Sequence, residues 1–101
     1  MSRRKGELTR NGIDRGWPHQ VALRAEISIR DYKALHAFCR DLSLCPRGHS
    51  VFHDNEWWNV YCFAVPEHAA EFMARFGGET FDPADRGRGS KWAQWKKRRP
   101  G

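Results

Sequence analysis

Between His19 and Ile27, apolar Val21, Leu23, Ala25 and Ile27 alternate with Gln20, Ala22, Arg24 and Glu26, the period of two that marks a half-buried strand. The period then changes. Ser28-Ile29-Arg30-Asp31 offers a hydroxyl cap with a carboxylate three residues on, and Ile29, Tyr32, Leu35, Phe38, Cys39 and Leu42 recur at helical spacing, so the pattern predicts a helix over about 29–42. Pro46 and Gly48 interrupt it. Val51-Phe52-His53 and Glu56-Trp57-Trp58 flank Asp54-Asn55, a pair suited to the tight two-residue turn of a hairpin whose second strand reaches about Val65. Pro66 suits a first helical position, Ala69, Phe72, Met73 and Phe76 form one stripe, and Gly77-Gly78 supplies a left-handed stop. Glu79 to Asp82 reads as a short last strand before Pro83.

The order β-α-β-β-α-β predicts an α+β, ferredoxin-like fold: a four-stranded antiparallel sheet with two helices on one face, carrying basic N- and C-terminal tails. The boundaries are a basic arm over 1–16, a domain over 17–82 and a Trp-containing basic tail over 83–101. In Phe63-Ala64-Val65-Pro66-Glu67-His68-Ala69 an inward aromatic is followed three residues later by a helix start and six later by a packed Ala. This junction resembles that of RNA-recognition-motif domains, over residues 58–72. The resemblance implies the fold and an inward Phe63. It does not imply sequence-specific RNA reading, because the Lys/Arg-Gly-aromatic opening of that family's signature is missing.

A turn at Asp54-Asn55 pairs His53 with Glu56, Phe52 with Trp57 and Val51 with Trp58. With Phe63 inward, the inward set is Phe52, Trp57, Asn59, Tyr61 and Phe63, and Val51, His53, Glu56, Trp58, Val60 and Cys62 point the other way beside Ala22 and Arg24. The expectation is an open sheet face built on Arg24, Val51, His53, Trp58 and Val60. Half apolar, it should meet a tail, a second copy of the chain, or bases.

Charge sharpens this picture. The 101 residues hold 18 Lys plus Arg against 12 Asp plus Glu, a formal charge of +6. Residues 1–16 carry +3, residues 83–101 carry +6 and the middle carries −3. A mildly acidic domain with two cationic ends attracts polyanions through counterion release. The candidate nucleic-acid contacts are Arg3, Arg4, Lys5, Arg86, Arg88, Lys91, Lys96, Lys97, Arg98 and Arg99, with Trp92 and Trp95 as aromatic support. The two Trp, spaced i, i+3, either dock on the domain or stack on bases. DNA or RNA is thus the expected partner, bound with little sequence specificity. The alternative is a protein-interaction or dimerisation module using the open sheet face.

Other chemistry finds little footing. At this length the chain has room for one modest core, which excludes separate catalytic and cofactor domains. His36, Cys39, Cys45 and His49 are soft donors that suit zinc by type, but their spacing is loose and Cys39 falls in an apolar stripe, so no metal and no cofactor are expected. Glycine-rich phosphate loops and nucleophile-base spacings are missing, and the expectation is a non-enzymatic binding protein. With no signal-type apolar run in the first twenty residues, no candidate membrane span and an odd number of cysteines, a cytoplasmic location is expected.

Overall fold

The computed structural model describes residues 9–87, 89–91 and 93–96. The chain runs α1 (Arg10–Gly16), β1 (His19–Arg24), α2 (Ala25–Arg30), α3 (Tyr32–Cys39), β2 (His49–His53), β3 (Glu56–Phe63), α4 (Pro66–Phe76) and β4 (Glu79–Phe81), then 3-10 turns at Pro83–Asp85 and Gly89–Lys91. All strand pairs are antiparallel and their order is β2-β3-β1-β4. With α2, α3 and α4 packed on one face and the sheet not closed into a barrel, this is the ferredoxin-like arrangement that the element order requires.

The hairpin sets the register of the sheet. Asp54 and Asn55 have φ of 54° and 63°, the paired left-handed conformation of a type I′ turn, whose twist matches that of the strands. His53 pairs with Glu56, Phe52 with Trp57 and Val51 with Trp58, as the sequence predicts. One face therefore presents Phe63 to the helices, where it joins Val21, Leu23, Leu35, Cys39, Ala69 and Phe72 in a core. Phe72 is the hub of that core, with ring centroids 5.0 Å from Tyr61, 5.4 Å from Phe63 and 5.3 Å from Phe76. Helix α4 begins with Pro66 at its first turn and stops at Gly77, φ 91°. Gly78 follows with φ 95°, and a Cβ there would sit 2.7 Å from the Ala22 carbonyl, so only glycine lets the chain turn this closely into β4.

Four expectations need correction. The first strand ends at Arg24, not Ile27, and a helix starts at Ala25 without a loop. Ser28 is not a cap: it is buried within α2, and its hydroxyl accepts a 3.0 Å hydrogen bond from the Tyr61 hydroxyl. The helix predicted over 29–42 is two segments meeting at Asp31 (φ −104°, ψ 22°) and ending at Cys39.

The fourth correction concerns the other sheet face, which is closed by the protein's own terminal segments. Val51 and Val60 are fully buried, Trp58 retains 6% exposure, and all three join Ala22, Cys62 and Phe81 in a second core. The missing layer comes from α1, which contributes Ile13 with Trp17 packed against the cluster, from Cys45 in the loop before β2, and from Trp95 after β4. Consequently β1 is buried on both faces from Gln20 to Leu23. No helix among the described residues is long and apolar enough to cross a membrane.

Candidate nucleic-acid interface

The candidate surface is the outer side of the layer formed by α1 and the segment after β4. Thr9 starts α1, its side chain accepting from the Gly12 N–H at 3.0 Å, a conventional N-cap. Ile13 and Trp17 are then one helical turn apart and reach the sheet from the same side. The C-terminal segment is a clasp. The Lys96 N–H donates to the Asp85 carbonyl at 2.7 Å and the Gly87 N–H to the Gln94 carbonyl at 2.7 Å; no side chain at position 87 fits beside the Lys91 carbonyl. The outer arm of the clasp then joins the edge of the sheet. Phe52 donates its N–H to the Ala93 carbonyl at 2.7 Å and accepts from the Trp95 N–H at 2.9 Å, a parallel bridge that extends β2 outward. Trp95, 3% exposed, inserts among Trp58, His53 and Phe81, with centroid separations of 5.3, 5.3 and 5.5 Å. Its carbonyl accepts from His53 Nδ1 at 3.2 Å.

A polar knot joins the two ends. Arg86 donates through both terminal nitrogens to the Asp14 carboxylate, at 3.0 and 3.2 Å, and Gln20 Nε2 donates to the same carboxylate at 3.0 Å. Burial pushes the Asp14 carboxyl up, but the Arg86 and Gln20 hydrogen bonds and the Arg86 charge outweigh it and hold the group below its ordinary value. Arg86 Nη2 lies 3.2 Å from His49 Nε2. Arg86 also lies 5.7 Å from the centre of the Phe81 ring.

These contacts sort the predicted site residues. Arg86 is spent internally, its side chain 9% exposed, and Trp95 is core, so neither is available to a ligand. Lys91 and Lys96 are exposed. Arg3, Arg4, Lys5, Arg88, Trp92, Lys97, Arg98 and Arg99 lie outside the described residues. Of the supposed open face, only Arg24 is exposed; it reaches Glu56 at 3.7 Å and rests 5.7 Å from the centre of the Trp58 ring. His53 is half-buried against Trp95. The four soft donors are dispersed: His36 is exposed against Tyr32, Cys39 and Cys45 belong to the cores on opposite faces of the sheet, and His49 faces Arg86. Among the described residues no group of three or more His, Cys, Asp or Glu is arranged to hold a metal ion. Burial drives the Cys39 thiol up to about 11 and the Cys62 thiol up to about 12, far from the range of a reactive thiolate.

Sequence reasoning missed Ile13, Asp14, Trp17 and Gln20. The signal was present in Thr9 as a cap and in the four-residue spacing of Ile13 and Trp17, but the positive charge of residues 1–16 masked it. Comparison with protein-family models, curated proteins and solved structures finds no match to this chain.

Proposed function

We propose that this protein is a small nucleic-acid-binding domain of low sequence specificity that engages phosphates through the cations of its two terminal segments. The observation that supports this is the distribution of charge: +3 in residues 1–16 and +6 in residues 83–101 against −3 between them, with both terminal segments contributing to one layer on one face of the sheet. Asp14 and Arg86 neutralise one another inside that layer. Arg15, Lys91 and Lys96 remain exposed on it, and Lys97-Arg98-Arg99 follow Lys96 in the sequence. Such a surface recognises the spacing of phosphates, not the identity of bases. A protein or second copy seated on the sheet face itself would first have to displace Trp95, which makes the dimerisation reading the weaker one.

The test is binding to single-stranded and duplex oligonucleotides across a salt series. The expected result is binding at low salt that weakens steeply as salt rises. Ending the chain after Lys96 keeps Trp95 in place and removes three cations, so the log–log slope should flatten by roughly 2–3. No binding at low salt, or binding indifferent to salt, overturns the proposal.

A further inference from the structure

On the helix side of the sheet, α2 and α4 pack on β1 and β3. The hairpin's inner half is drawn under them: Phe63 and Tyr61 meet Phe72, and the Tyr61 hydroxyl reaches Ser28 in α2. Its turn-proximal half is different. Phe52 and Trp57, opposite one another in the register, stand edge to face with centroids 5.1 Å apart, and Trp57 is 50% exposed. A tryptophan packed against one neighbouring ring and half exposed differs from the buried Trp58 and Trp95, whose faces are taken by the protein.

The second observation is the path of the basic segment. The bridge at Phe52 is parallel, so Ala93 to Lys96 run in the direction of β2, toward the turn. A groove there is lined by Phe52, His53, Asp54, Gln94, Trp95 and Lys96. Phe52 therefore has Trp57 on one side and the segment ending in Lys96 on the other, and the sequence continues from Lys96 as Lys97-Arg98-Arg99. An aromatic surface beside a cation matches a polymer whose flat, unpaired bases alternate with phosphates. Duplexes hide those faces. Two carboxylates are also present: Glu56, which faces Arg24, and Asp54, in the groove itself. Asp54 repels phosphate, so a bound strand passes on the Lys96 side.

We infer that the turn-proximal end of the β2–β3 hairpin is a base-stacking platform for single-stranded nucleic acid, with Trp57 as the stacking residue and Lys96 as the phosphate contact. This rests on the nucleic-acid reading above and adds what that reading lacks, a preference for unpaired strands.

The experiment compares the full chain with Trp57→Ala, Trp57→Leu, Trp57→Phe and Asp54→Asn for binding to a labelled oligothymidylate and to a mixed-sequence duplex of the same length, with thermal melts confirming that each variant folds. Loss of one stacked base predicts roughly tenfold weaker oligothymidylate binding for the Ala and Leu variants. Duplex binding and the salt slope should stay unchanged, Trp57→Phe should stay near the unsubstituted protein, and Asp54→Asn should bind about two- to threefold tighter because a repulsive charge is gone. If the unsubstituted protein binds both probes but Trp57→Ala or Trp57→Leu binds oligothymidylate equally well, the platform is wrong and the phosphate reading survives. If the unsubstituted protein binds neither probe, the nucleic-acid reading itself falls, and the platform with it.

Discussion

Asp14 and Arg86 are 72 residues apart in sequence, yet their side chains form a two-pronged ion pair, 21% and 9% exposed, that ties one end of the chain to the other. Removing one partner leaves the other charge under-solvated, so Asp14→Ala should destabilise the protein by about 3 kcal/mol, against a total of about 5–15 kcal/mol for a domain of this length. Asp14→Asn retains an acceptor and separates charge from hydrogen bonding. Because the folded-state carboxyl lies below its ordinary value of 3.8, the ionised carboxylate stabilises the fold fully above that value, and the benefit is lost as pH falls through the depressed folded-state value. Denaturant curves for the unsubstituted protein and Asp14→Asn should therefore differ by a constant amount near neutrality and converge in acid. A gap that persists unchanged to the lowest accessible pH would show that charge is not what holds this contact. Neither residue was legible from its neighbours: Asp14 is the minority charge of a basic stretch, and Arg86 sits in a run of basic and glycine residues that reads as linker. Pairing at that separation is a property of the tertiary fold alone.

Among the elements, the β2–β3 hairpin was the most legible and the paired helices α2 and α3 the least. The hairpin carries its own instructions, two turn-forming residues between apolar strands, and once the turn is placed the side-chain period of two fixes which residues share a face. Asn55→Gly should add about 0.5 kcal/mol, since it relieves the cost of a left-handed φ on a residue with a Cβ, whereas Asn55→Val should cost about 1–2 kcal/mol; equal melting temperatures for the three proteins would argue against a type I′ turn. Helix α2 was misread because Ala25, Glu26 and Ile27 fit a strand as well as a helix, and because the Ser28 hydroxyl, which looked like a cap, is claimed by Tyr61 of the underlying strand β3. The division of the sheet residues into two sets was correct, but which set meets water depends on segments that packed there from outside the core. Exposed faces are the part of a fold that local sequence specifies least.

At the scale of the molecule, one sheet separates two cores, and the cysteines report on them independently. Cys39 belongs to the helix side, Cys45 and Cys62 to the side closed by the terminal segments, and all three are buried. Trp95→Ala removes the largest buried side chain of the closing layer, at a cost of about 3–5 kcal/mol. It should therefore speed labelling of Cys45 and Cys62 by a thiol reagent while leaving Cys39 protected, as mass spectrometry of the labelled peptides would show. Uniform acceleration of all three would mean that the two cores unfold as a single unit. The bridge between Phe52 and the clasp has a consequence of another kind. Strand β2 is an outer strand of the sheet, and an uncovered strand offers its free amides and carbonyls to any neighbouring chain. The other border, β4, is only three residues long and gives such a neighbour little to grip. By occupying the N–H and C=O of Phe52, the clasp blunts the one border long enough to recruit another strand. Its loosening opens a route to edge-on aggregation as well as to unfolding, so in a cell the same few residues guard solubility.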